Sequence, residues 1–106
     1  MKLGIILNNN DAETAFNGLR LGNQALSTGS ETTVFLLGAG VEVAQIESES
    51  FDVAGTLRKF LDGGGGLLAC GTCLDIRHQE AGICPISTMA QLFELIVASD
   101  KVVSLG

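Results

Sequence analysis

The chain has 106 residues, 46% of them hydrophobic and only 17% charged, with a formal net charge of −6 from six Lys+Arg against twelve Asp+Glu. That length fits one domain, expected over residues 1–106, and the high apolar share argues against disorder and for elements buried on more than one face or at a subunit interface. The acidic balance, with no basic run, argues against a nucleic-acid partner, and the apolar runs fall well short of the roughly 18 residues a membrane span needs.

Lys2 to Leu7 is a short, nearly continuous apolar run containing Ile5 and Ile6, the pattern of a strand covered on both faces. No long apolar segment with a small-residue cleavage site follows, so no export signal is expected and the compartment is read as cytoplasmic. Asn8-Asn9-Asn10-Asp11 supplies turn and cap residues, and Asn10 with Glu13 has the spacing of a capping arrangement. A helix is expected to start near Asp11 or Ala12, with Ala15, Phe16, Leu19 and Leu26 on its apolar side and Gly29 at its end.

Thr32 to Leu37 is β-branched and apolar, a second strand, and Gly38-Ala39-Gly40 follows as a loop. Val41 to Ser50 reads as a loop with at most one helical turn. Phe51, Ala54, Leu57, Phe60 and Leu61 mark a second helix that Gly63 to Gly66 ends, and a third strand follows at about Gly66 to Ala69. After Cys73 a short helix can continue through His78, and Ile83-Cys84-Pro85-Ile86 reads as a brief fourth strand. Thr88 with Gln91 has capping-box spacing for a last helix containing Met89, Leu92, Leu95 and Ile96, and Lys101 to Leu105 is a final strand.

This alternation predicts an α/β protein, a three-layer α/β/α sandwich on a parallel sheet of about five strands with right-handed crossovers. In such sheets ligands sit beyond the carboxyl ends of the strands. Four loops are expected at that rim: Asn8 to Asp11, Gly38 to Gly40, Cys70 to Cys73, and Ile86 to Thr88. Asn8, Gly38, Gly71, Thr72 and Ser87 on these loops, together with Arg77, are candidate binding residues.

The chemistry centres on Ala69-Cys70-Gly71-Thr72-Cys73-Leu74. Three cysteines, an odd number in a chain read as cytoplasmic, point to thiols or metal ligands rather than a disulfide framework. Cys70 falls where the third strand meets the following helix, a position whose unpaired amide groups stabilise an anion. A thiolate there can attack a sulfane sulfur or a disulfide, or hold a persulfide. Cys73, three residues on, is placed to resolve a persulfide or mixed disulfide on Cys70. Cys84 is a secondary candidate. Both members of the Cys-x-x-Cys pair are equally the kind of small apolar residue that packs under helices.

Arg77 lies about two helical turns after Cys70 and could steady an anionic sulfur species. His78, in a polar stretch, reads as exposed. Cys70, Cys73, His78 and Cys84 would make a tetrahedral zinc set, but the spacing is irregular and no second Cys-x-x-Cys pair exists, so no metal and no other cofactor is expected. The run Gly63 to Gly66 precedes a strand, whereas phosphate loops follow a strand and open a helix.

Ala69 to Leu74, the later Cys84-Pro85-Ile86-Ser87-Thr88-Met89 and the closing Ser99-Asp100-Lys101-Val102-Val103 together resemble the DsrE/DsrF-like family over nearly the whole chain. The Cys-Gly-Thr-Cys-Leu form is also similar to the DsrE-like domain attached to a TusA-like domain in proteins linked to selenium metabolism. The resemblance implies a small α/β/α sandwich that assembles into oligomers, here a homo-trimer or homo-hexamer, and a role in intracellular sulfur relay. It implies that Cys70 accepts sulfur as a persulfide and passes it on, that Arg77 matches an arginine often present on the same helix, and that sulfur-donor and sulfur-acceptor proteins are partners. Any activity would be sulfurtransferase-like carriage. The alternatives from the residues are a non-enzymatic oligomeric binding module and a dithiol redox protein using Cys70 and Cys73.

Overall fold

The computed structural model describes residues 1–76 and 86–106. Five strands form one all-parallel sheet: β1 (Lys2–Leu7), β2 (Glu31–Leu36), β3 (Gly66–Cys70), β4 (Ile86–Ser87) and β5 (Lys101–Leu105), in the order β4-β3-β2-β1-β5. Four α-helices, α1 (Ala12–Ser27), α2 (Val53–Asp62), α3 (Gly71–Ile76) and α4 (Met89–Ala98), and a 3-10 helix over Gly38–Gln45 complete the described elements. The predicted three-layer α/β/α sandwich is the observed one.

The helix ends follow from local chemistry. Asp11 caps α1 by accepting from the Thr14 amide at 3.0 Å and the Thr14 hydroxyl at 2.9 Å. The cap expected from Asn10 and Glu13 is therefore displaced by one residue, because the Asn10 side chain instead donates to Glu42 Oε1 at 2.8 Å. At the other end, the Gly29 amide bonds to Leu26 O and the Ser30 amide to Ala25 O, the paired closure that a left-handed residue after a helix permits. Gly29 supplies it with φ +84°. Thr88 and Gln91 form the expected capping box at α4.

Which face each helix covers is legible from close approaches. On α1, a side chain at Gly22 would meet Phe60 at 2.8 Å and Ile5 at 3.6 Å, so α1 lies against the Leu3, Ile5 and Leu7 side of β1 and against α2. On the other side, a side chain at Gly4 would meet Ser99 Oγ at 3.0 Å and Leu95 at 3.5 Å, which puts α4 on the opposite face. The parallel register carries that second face across the sheet through Gly4, Thr33 and Gly66, and through Ile6, Phe35 and Leu68. Phe35, Phe60, Ile5, Leu7, Leu19 and Leu36 are the largest fully buried side chains, each stabilising the fold by about 1.5–3 kcal/mol.

Two expectations change in detail. The loop Gly38 to Gly40 and the first half of the stretch Val41 to Ser50, as far as Gln45, form the 3-10 helix, which turns Val41 and Val43 into the core. Of the expected fourth strand, Ile83-Cys84-Pro85-Ile86, the first three residues lie outside the described ones, and within the described residues β4 is Ile86–Ser87.

Candidate functional site

In a parallel sheet every strand delivers its carboxyl end to the same edge, and hydrogen bonds and close approaches chain the four rim loops together there. A side chain at Gly38 would meet Asn8 Oδ1 at 2.9 Å, which joins the first loop to the second. The Gly38 amide donates to Cys73 Sγ at 3.2 Å, which joins the second to the third. A side chain at Gly71 would meet Ile86 Cγ2 at 2.9 Å and Ser87 O at 3.4 Å, which joins the third to the fourth. Gly38 has φ +57°, a left-handed backbone that turns its N–H toward the helix after β3.

Cys70 is the last residue of β3, in register with Ser87 of β4. Alternation along β3 sets Gly66, Leu68 and Cys70 on the α4 side of the sheet. The chain after Cys70 enters α3, which packs against the 3-10 helix on the α1 and α2 side, whereas the chain after Ser87 enters α4 on the other. The carboxyl ends of β3 and β4 thus diverge to opposite faces, and that is the kind of crevice in which open α/β sheets bind ligands.

Cys70 is 4% exposed and Cys73 half-buried, neither is in a disulfide, and the two residues come within 3.1 Å of each other. Gly71 is half-buried between them and β4, Thr72 is exposed, and Ser87 is buried. Asn8 is exposed at the end of β1. The sequence did not single out the Gly38 amide as a sulfur ligand. The readable signal was a glycine just past a strand end, where a left-handed turn aims a backbone N–H.

Arg77, His78 and Cys84 lie outside the described residues. The tetrahedral set weighed for zinc therefore has only Cys70 and Cys73 within them. Among the described residues of the rim loops there is no Lys or Arg and the one charge is the carboxylate of Asp11, with Glu42 and Asp75 on the helical segments that continue two of the loops. The Lys2–Glu31 ion pair, at 3.9 Å, sits at the amino-terminal edge of the sheet, away from the cysteines.

A cleft of about 600 Å³ runs between α1 and α2 and is lined by Phe16, Arg20, Thr56 and Lys59, among others. It is an open helix-to-helix groove with no cysteine in its lining. The rim carries the two cysteines that lie among the described residues.

No helix among the described residues is long and apolar enough to cross a membrane. The model of the DsrE/DsrF-like family matches residues 1–105 of the chain. No curated protein matches it.

Proposed function

The chain belongs to the DsrE/DsrF-like family, and from that premise we propose that it is a cytoplasmic sulfur carrier in which Cys70 takes up a sulfur atom as a persulfide and hands it to a partner protein. The observation that carries the reading is the position of Cys70 at the strand end where β3 and β4 send their chains to opposite faces. Loading is attack of the Cys70 thiolate on the sulfane sulfur of a donor. A bond forms between Cys70 Sγ and that sulfur, the bond between the sulfur and the rest of the donor breaks, and the donor leaves with the bonding pair.

Burial of Cys70 fits a carrier, since a persulfide sheltered from bulk thiols survives longer than one on the surface. Cys73 is the more exposed of the pair and would be ranked first by accessibility alone. Strand-end position favours Cys70, and substitution separates the two. With a sulfane-sulfur donor, wild type is expected to gain one sulfur atom by intact mass and Cys70→Ser none. Unchanged loading of Cys70→Ser, or no loading of wild type, overturns the reading.

The same proposal includes self-association as a trimer or hexamer. Along α4, Leu92 and Leu95 are turned into the core, while Met89, Phe93, Ile96 and Val97 are exposed, and Glu94 is the helix's single charge. A helix with this much exposed apolar surface on its outer face is ordinarily covered, and a second copy of the chain would bury it.

A further inference from the structure

We infer that Cys73 is the thiol that discharges the persulfide on Cys70, releasing the carried sulfur as hydrosulfide and closing a Cys70–Cys73 disulfide. The inference rests on Cys70 carrying sulfur, and three observations lead from there to Cys73. The two residues come within 3.1 Å, on consecutive elements with only Gly71 and Thr72 between them. Cys70 is 4% exposed, so a nucleophile already inside the fold reaches its sulfur more readily than one from solution. The Cys73 sulfur, in turn, is held at the rim by the Gly38 amide, a donor well matched to a sulfur that bears charge.

The step balances without an outside oxidant. The Cys73 thiolate attacks Cys70 Sγ, and a bond forms between the two Sγ atoms. The bond between Cys70 Sγ and the carried sulfur breaks, and that sulfur departs with the bonding pair and its proton as hydrosulfide. The carried sulfur is reduced by two electrons and the two cysteine sulfurs together are oxidised by two. A dithiol reductant restores the pair by exchange, leaving as its own disulfide. Attack on the outer sulfur instead would give a Cys73 persulfide with no hydrosulfide.

Gly38 and Asn8 then act as positioning residues. Gly38 presents its N–H to Cys73 from a left-handed backbone, and the space where its side chain would stand is taken by Asn8 Oδ1. This gives two of the rim positions a role through Cys73 rather than through a ligand.

The experiment follows intact mass and hydrosulfide together after a pulse of inorganic polysulfide is removed, in wild type, Cys73→Ser and Cys73→Ala. Wild type is expected to gain one sulfur atom and then end two hydrogens lighter than the reduced chain, with one hydrosulfide released per chain and peptide mapping linking Cys70 to Cys73. Both variants are expected to keep the added sulfur, with release slowed on the order of a hundredfold or more by loss of the internal nucleophile. Wild type that holds its sulfur as long as the variants overturns the inference and leaves the carrier reading standing. So does sulfur on Cys73 with no hydrosulfide released. Variants that never gain sulfur overturn both.

Discussion

The backbone amide of Gly38 donates a hydrogen bond to the sulfur of Cys73 across 3.2 Å. It ties the loop after β2 to the helix after β3, and so couples a backbone turn to the thiol next to Cys70. Its strength depends on a backbone that only glycine adopts without cost.

Gly38→Ala is accordingly expected to destabilise the fold by about 1–2 kcal/mol, the penalty for an L-residue at a left-handed position. Urea denaturation measures it. Asn8 is exposed and its carboxamide can move aside, so the double variant Asn8→Ala/Gly38→Ala should recover little of the loss. Recovery of most of it would mean that side-chain crowding, not φ, sets the cost.

The outward face of α4 makes a prediction about mass. Light scattering on the purified chain should give several copies per particle, and Phe93→Glu should shift it to smaller particles with unchanged helical content. Phe93 is 66% exposed in the single chain, so the charge disturbs little within it. A wild-type particle of one copy would remove self-association from the account.

Asp11 contributes a pH-dependent cap. The Thr14 amide, then the Thr14 hydroxyl, hold its carboxyl below the ordinary value of 3.8. A carboxyl with a lowered folded value binds fewer protons folded than unfolded, so its contribution is complete above 3.8 and is lost as pH falls through the lowered value. The wild type minus Asp11→Asn difference in thermal unfolding should therefore shrink on acidification through that range and stay flat above it. A difference that grows on acidification contradicts the cap.

Much of the fold is legible in the sequence because the local signals agree with the global one. β1 is a nearly continuous apolar run, as a strand buried on both sides must be, β2 is β-branched and apolar from Thr32 to Leu36, and Thr88 with Gln91 announces α4. The misjudged places are those where a distant partner decides. Asn10 and Asp11 are both good caps, and the choice falls to Asp11 because Asn10 is engaged by Glu42, thirty-two residues away. Gly38 to Gln45 carries two glycines and alternating valines and shows no clear period, yet it closes as a 3-10 helix because Val41 and Val43 find the core.

The site divides the same way. The strand end at Cys70 and the convergence of the rim loops can be read from periodicity and the rule of parallel sheets. The relative burial of the two cysteines cannot, because it depends on what packs around the end of β3 and on the Gly38 amide that meets Cys73 from the loop after β2. Two residues three apart in sequence thus receive different surroundings from elements that are remote along the chain.

We propose Cys70 Sγ as the atom that bears the carried sulfur, and the location of the added sulfur measures this directly. Cys73→Ser, incubated with a sulfane-sulfur donor, alkylated and digested, should carry the extra sulfur atom on the peptide containing Cys70. Sulfur on the Cys84 peptide with Cys70 unmodified would contradict the account.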